Sequence, residues 1–387
     1  MKRKGRLWAA LLLCLALLAG CGENGPQATE AAPAQATAGA ESSALPEATP
    51  GAVILPEPEE GSLSLWLARD LPLAESLAAL AEDYTAQHPE SQIFVYTFNS
   101  AEELRAALAQ GSPDLLLCDG GRAASLAAEG KLAPSVGELG ALRPFFRGAP
   151  AGFCPLGGEL PVLVVKAENR DRLSEEPTLE ELCALASDYG RRVERPFFSA
   201  DSFAALFAGA LTQKGSPFYA QREQDLESEA YREVYNLLAD AAFEGGLVSL
   251  DVPVLAAVER GELICGICSS RDLLTADREE LCILPLPPME GCEARTEALL
   301  WGLAVLAGEK REEAEAFLAW LLAQPALREA AAEAGLLPAC GDDWPGAADF
   351  ATALDTGRAC CSAENSGYAI YGAKFEQSFR AALALLA

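Results

Sequence analysis

The alternation of apolar, strand-like runs with amphipathic helical runs between Leu63 and Gly130 constrains this chain most. Leu63-Ser64-Leu65-Trp66-Leu67 is apolar almost throughout, as strands covered on both faces of a parallel sheet are. Asp70 and Pro72 then supply a cap and a first-turn proline. Leu73, Leu77, Leu80, Ala81 and Tyr84 recur on one helical face until His88-Pro89 ends the run. Ile93 to Phe98 reads as a second strand. Ser100 and Glu103 form a capping box for a helix carrying Leu104, Ala107 and Leu108, which Gly111 stops. Asp114 to Cys118 is a third strand, and Asp119-Gly120-Gly121 turns into a helix ending at Gly130. This β-α-β-α-β-α order predicts a mostly parallel, doubly wound sheet. Ligands of such sheets sit beyond the carboxyl ends of the strands. Arg69, Asp70, Asp119 and Arg122 therefore stand where a ligand would lie, and each can equally be a helix cap or half of a surface ion pair.

Ahead of this body lies an export pattern. Lys2, Arg3, Lys4 and Arg6 precede an unbroken apolar run from Leu7 to Ala19. That run suits the apolar region of a secretory signal and is shorter than the about 20 residues a spanning helix needs. Leu18-Ala19-Gly20-Cys21 resembles the lipobox of bacterial lipoproteins. The resemblance implies a signal peptide over 1–20, acylation of Cys21 (palmitate or a similar chain), and anchoring at the extracytoplasmic face of the cell membrane. Two or more acyl chains are what stable anchoring requires. The competing reading is an uncleaved anchor or an ordinary signal with a coincidental cysteine. From Gly22 to Gly61 there is no Lys, Arg or aromatic residue. Residues 21–61 are thus expected to be a disordered tether with a reach of roughly 35 Å, Val53-Ile54-Leu55 being its one apolar run.

The 326 residues from Ser62 to Ala387 are too many for one core and suggest two domains. Without the four basic residues of 1–20, the 25 remaining Lys and Arg against 57 Asp and Glu leave a net charge of −32. Nucleic acid and anionic lipid both need basic surface, so this balance argues against them and favours neutral or cationic ligands. Catalytic patterns are lacking. His88 is the only histidine, no GxxxxGK[ST] loop is present, and no carboxylate pair is marked out. Neither an enzyme nor a cofactor is expected, a carboxylate-only glycosidase being the surviving catalytic alternative. With Cys14 removed and Cys21 acylated, ten of the twelve cysteines remain. Cys265-x-x-Cys268, with Cys282 and Cys292 downstream, invites a zinc reading. In a strand, however, a spacing of three points the two thiols to opposite faces, whereas zinc needs converging thiolates. Buried free thiols are the expected state, with Cys360-Cys361 able to pair with Cys340 or other partners.

The body also resembles the sugar-type extracellular solute-binding proteins of bacterial ABC importers. The matching phrases stand in family order: the strand ending in Trp66, then "AEDYTAQHPE" (81–90), "QIFVYTF" (92–98), "LRAALAQGSPDLLLCD" (104–119) and "ASLAAEGKLAPS" (124–135). Later come "GAPAGFCPLGGELPVLVVKAEN" (148–169), "EPTLEELCALASDYG" (176–190), "AAVERGELICGICSSRDLL" (256–274), "LCILPLPP" (281–288), "EALLWGLAVLAG" (297–308) and "EEAEAFLAWLLAQPALREAAAEAGLLPA" (312–339). Thr178 and Glu181 form a second capping box, and Leu179 stands where the family has a Trp.

The resemblance implies an α/β, two-lobed periplasmic-binding-protein-like fold. Each lobe would be a doubly wound, mostly parallel sheet flanked by helices, and the lobes would be hinged. Residues 62–152 with 296–340 would form lobe I and 153–295 with 341–387 lobe II, the first crossing falling near 152–159. It further implies a monomer that captures a small solute, a carbohydrate first, and hands it to ABC permease subunits. Ser269, Ser270 and Arg271 would leave the end of a lobe II strand, placed to donate hydrogen bonds. Sugar sites use aromatic faces; Trp66, Phe153, Phe198 and Trp301 stand nearest the lobe edges, with core packing as the alternative for each. Trp344 would cover a seam. A surface lipoprotein of the same fold, acting as a sensor or docking module, is the second reading.

Overall fold

The structure is a computed structural model describing residues 61–136, 142, 145–146, 149–216, 228–296, 298–344, 346–356 and 368–386. Cys21, residues 22–60 of the expected tether, Cys360 and Cys361 lie outside them.

The alternation read from the sequence builds β1 (Leu63–Ala68), α1 (Ala74–Gln87), β2 (Ile93–Phe98), α2 (Ala101–Leu108), β3 (Leu115–Asp119) and α3 (Gly120–Ala128). β1 pairs in parallel with β2 on one side, Leu63 opposite Ile93, and with β3 on the other, Leu65 opposite Leu115. Three further strands extend this sheet: β4 (Phe153–Glu159), β8 (Leu299–Val305) and β9 (Leu337–Pro338), in the order β2-β1-β3-β8-β4-β9. β8 runs antiparallel to both β3 and β4, and β9 antiparallel to β4. Strand directions are therefore more mixed than the alternation predicts. The added strands return from elsewhere in the chain instead of following a helical crossover, which is what imposes parallel pairing.

The second sheet joins β5 (Pro161–Lys166) to β6 (Cys265–Ser269) and β7 (Leu281–Pro285), both antiparallel to β5. Its parallel component is confined to the bridges Phe198–Leu247 and Ala200–Ile267, against the expectation of a mostly parallel sheet. Helices nevertheless cover both faces, so the two-lobed α/β architecture stands. Val162 and Val164 share a core with α7 (Val254–Glu259) and α11 (Ala347–Thr356). Leu163 and Val165 share another with α4 (Leu179–Val193), α5 (Phe203–Gln213), α6 (Glu229–Phe243) and α12 (Tyr368–Leu386). The same period of two sends Cys265 to one core and Cys268 to the other, so they do not converge on a single ion. Cys118, Cys154, Cys183, Cys265, Cys268, Cys282 and Cys292 carry free thiols. Burial pushes the thiols of Cys118, Cys154, Cys183, Cys265 and Cys268 far above their ordinary range.

The chain first passes between sheets at Leu160, at the end of the stretch expected for it, because residues 153–159 pair with β8 and β9. The crossing is clamped to the short helix α8 (Ser270–Leu274). Leu160 N–H donates to Ser270 Oγ (3.1 Å), and Ser270 N–H donates back to the Leu160 carbonyl (2.9 Å). The carboxyl ends of β1 to β3, the end of β4 and the start of β8 share one edge of the first sheet, Glu159 lying opposite Leu299 and Asp119 opposite Trp301. In the second sheet the start of β5 and the ends of β6 and β7 share the edge next to the crossing. At the far edge of the first sheet, Asp114 accepts the Ser64 N–H (2.8 Å) and hydroxyl (2.7 Å). Lys310, 3.7 Å from Asp114, donates to the Ser62 carbonyl. Lys310 stands before α9 (Arg311–Ala323) and α10 (Pro325–Glu333), which pack on α1, Tyr84 meeting Phe317 at 5.1 Å.

Candidate functional site

Both sheets thus turn strand ends toward the Leu160 crossing, and the site is built there. Asp119 caps α3, its Oδ1 accepting the Arg122 N–H (2.9 Å). Arg122 is half-buried one turn beyond. Asp70 caps a different helix from the one the sequence suggests. α1 begins behind Leu73, a left-handed residue (φ 68) with no side-chain cap, while Asp70 Oδ1 accepts the Ala101 N–H of α2 (2.8 Å). Both carboxylates are therefore engaged by backbone donors at helix N-termini, where negative charge is favourable. Arg69 is exposed. With Leu67, Ala74, Glu75, Ala78, Ala79, Glu82 and Thr97 it lines an open cavity of about 380 Å³ along the flank of α1.

Four candidates are not at the surface. Trp66 is 6% exposed, its ring edge-on to Phe98 at 5.4 Å and 6.3 Å from Tyr96. Phe153, Phe198 and Ser270 are buried as well, Ser270 because it is spent on the crossing clamp. Their apolar contacts, or in Ser270 its backbone partner, take the place of a ligand. Trp301 is half-buried, and its indole N–H is shielded without a hydrogen-bond partner. Trp344 is buried beside Phe350, 6.0 Å away.

Ser269 and Arg271 are brought together with a residue the sequence did not single out, Glu159. Ser269 Oγ accepts the Arg271 N–H (3.2 Å) as the cap of α8 and donates to Glu159 Oε2 (3.3 Å). Arg271 Nη1 stands 3.9 Å from Glu159 Oε1. Its aliphatic stem covers Gly335, where a Cβ would come within 2.7 Å of Arg271 Cγ. Burial pushes the Glu159 carboxyl above the usual carboxylate range, while Arg271 and Ser269 draw it back. Asp201 is a second residue the sequence left aside. It sits just past the Ala200–Ile267 bridge, its Oδ1 accepting the Val254 N–H of α7 (3.0 Å), and burial raises its pKa too. The Asp201-Ser202 pair ahead of an apolar helical run is a cap-like signal that could have drawn attention to it. Among the described residues no group of three or more His, Cys, Asp or Glu could hold a metal ion.

Comparison with known proteins bears on this geometry. The model of the family described as bacterial extracellular solute-binding protein matches residues 71–337. No curated protein sequence matches the chain. Solved structures share the fold. A cyclo/maltodextrin-binding protein complexed with maltotetraose is 18% identical, covering 85% of this chain and 97% of its own, with a TM-score of 0.58. The sugar-binding protein MalE from the phytopathogen Xanthomonas citri is 15% identical, with 84% and 97% covered and a TM-score of 0.59. The cyclic alpha-maltosyl-1,6-maltose binding protein from Arthrobacter globiformis is 16% identical, with 83% and 98% covered and a TM-score of 0.57. At such identities the likeness is one of fold, and it is the family match, spanning both sheets and the crossing, that places the chain. It belongs to the bacterial extracellular solute-binding proteins, which bind solutes and are not enzymes.

Proposed function

We propose that this protein captures a carbohydrate between its two lobes and delivers it to an ABC importer, held to the outer face of the membrane through Cys21. The observation that carries the reading is the facing of strand ends from both sheets onto one clamped crossing, in a chain of the solute-binding family. The names of the neighbours support the solute class, since they are described with maltodextrins, maltotetraose and cyclic maltose derivatives. In this reading Arg69, Asp70, Asp119, Arg122, Ser269, Arg271 and Trp301 face the solute, and residues 153–159 belong with the first lobe.

Thermal unfolding with a panel of neutral saccharides, from single sugars to maltodextrins, tests it. A solute that binds only the folded chain stabilises it by RT ln(1 + [L]/Kd), about 2.7 kcal/mol at a hundredfold excess over Kd. At least one saccharide is expected to raise the midpoint in proportion to the logarithm of its concentration. Stabilisation by peptides or polyamines alone would sink the carbohydrate reading.

A further inference from the structure

Glu159 is the last residue of β4 and therefore belongs to the first sheet, while both its side-chain partners belong to the second. Arg271 reaches back the same way. Its stem lies over Gly335, in the turn from α10 to β9, and its guanidinium faces Glu159. A side chain rooted in the second lobe thus rests on two separate pieces of the first, on either side of the Leu160 crossing. Gly335 has φ +75, a left-handed conformation that glycine adopts without penalty. A Cβ there would collide with the Arg271 stem, so the turn and the arginine are shaped to each other.

The contact is weak by construction. Glu159 receives one long hydrogen bond from Ser269 and an arginine 3.9 Å away, and the Arg271 side chain is 60% exposed. Exposed pairs of this kind contribute little to stability. Little energy is needed, however, to bias two lobe orientations that differ by a few kcal/mol. We infer that Glu159 is a positioning residue, which with Ser269 and Arg271 forms a latch across the crossing that selects one orientation of the lobes. This rests on the two-lobed capture reading and adds to it the element that sets the orientation of the solute-free protein.

The charged groups facing Glu159 are Arg271 and Asp272, both on α8.

The test needs no solute. Spin labels at Glu102 and Arg191, exposed positions on α2 and α4, report the distance between lobes in the full chain. The wild type is expected to show one dominant distance at pH 7.5. Glu159→Gln and Arg271→Ala are each expected to broaden the pattern, with minor distances at least threefold more populated, and the double variant to match either single one. Both should unfold within about 2 °C of the wild-type midpoint, since the long hydrogen bond and the 3.9 Å pair they remove contribute little. A wild-type-like distribution in either variant, or additive effects in the double variant, would each overturn the latch. None of these results depends on whether a saccharide binds, which the thermal panel decides separately.

Discussion

Arg380→Ala is expected to lower the unfolding free energy by about 3 kcal/mol, read as a shift of the urea midpoint at unchanged slope. Arg380 belongs to α12, the last helix of the second lobe. Its guanidinium donates to Glu376 Oε1 (2.6 Å), Ser249 Oγ (2.8 Å) and the carbonyls of Asp201 (2.7 Å), Leu250 (3.3 Å) and Ala200 (3.4 Å). It also lies 5.3 Å from the centroid of the Phe203 ring. Glu376, oriented by that pair, accepts the Ala204 N–H of α5 through its other oxygen (2.8 Å). Alanine leaves several carbonyls without donors and Glu376 without its counter-charge, and each stranded polar group costs about 1–3 kcal/mol when water cannot reach it. Lysine is expected to recover only part of the loss, because a single ammonium cannot reproduce the planar fork of donors. A loss below 1 kcal/mol in the alanine variant would show that α12 is held by Phe375, Phe379 and Leu383 alone.

Gly246→Ala is expected to be more severe, with little soluble protein and a loss above about 4 kcal/mol. The turn after α6 runs against the backbone of α4, so a Cβ on Gly246 would stand 1.9 Å from the Ala186 carbonyl oxygen. Backbone cannot swing aside as a side chain can. The same residue is committed on both polar groups: its N–H donates to Ala241, and its carbonyl accepts from Phe197 (2.7 Å) and Phe198 (3.1 Å). Its neighbour supplies the control. Gly245 has φ +78 and open space where a Cβ would go, so Gly245→Ala is expected to cost only about 1 kcal/mol of conformational preference. Equal losses at the two positions would contradict the close approach.

What could be read in the sequence was what local chemistry decides. Ser100 and Thr178 cap the helices they precede, accepting from Glu103 and Glu181 N–H at 3.2 Å each. The reciprocal half of each capping box went elsewhere: Glu103 takes the Asn99 N–H and Glu181 the Ser174 N–H. The opposite facing of Cys265 and Cys268 follows from strand period alone. Asp70 was misread because its partner lies 31 residues away, on a helix that only the packed sheet brings near. The antiparallel entry of β8 and β9 was hidden for the same reason, and so was the Leu160–Ser270 clamp, which joins residues 110 apart. Trp66 shows a further limit. A tryptophan at a strand end has the same pattern whether its ring meets a sugar or, as here, Phe98 and Tyr96.

The position of β1 has a mechanical consequence. The chain preceding residue 61 enters the body through a strand that is hydrogen-bonded on both flanks, along its whole length to β2 and in part to β3. A pull on that leader acts along the strand axis, loading both ladders in shear, so the bonds must yield together instead of unzipping one by one. The first of them are reinforced by the Ser64–Asp114 pair and by Lys310 on the Ser62 carbonyl. This grip lies at the edge of the sheet opposite the crossing. Under the tethering proposed above, drag on the body is taken up at its base, and the lobes remain free to move at the other end.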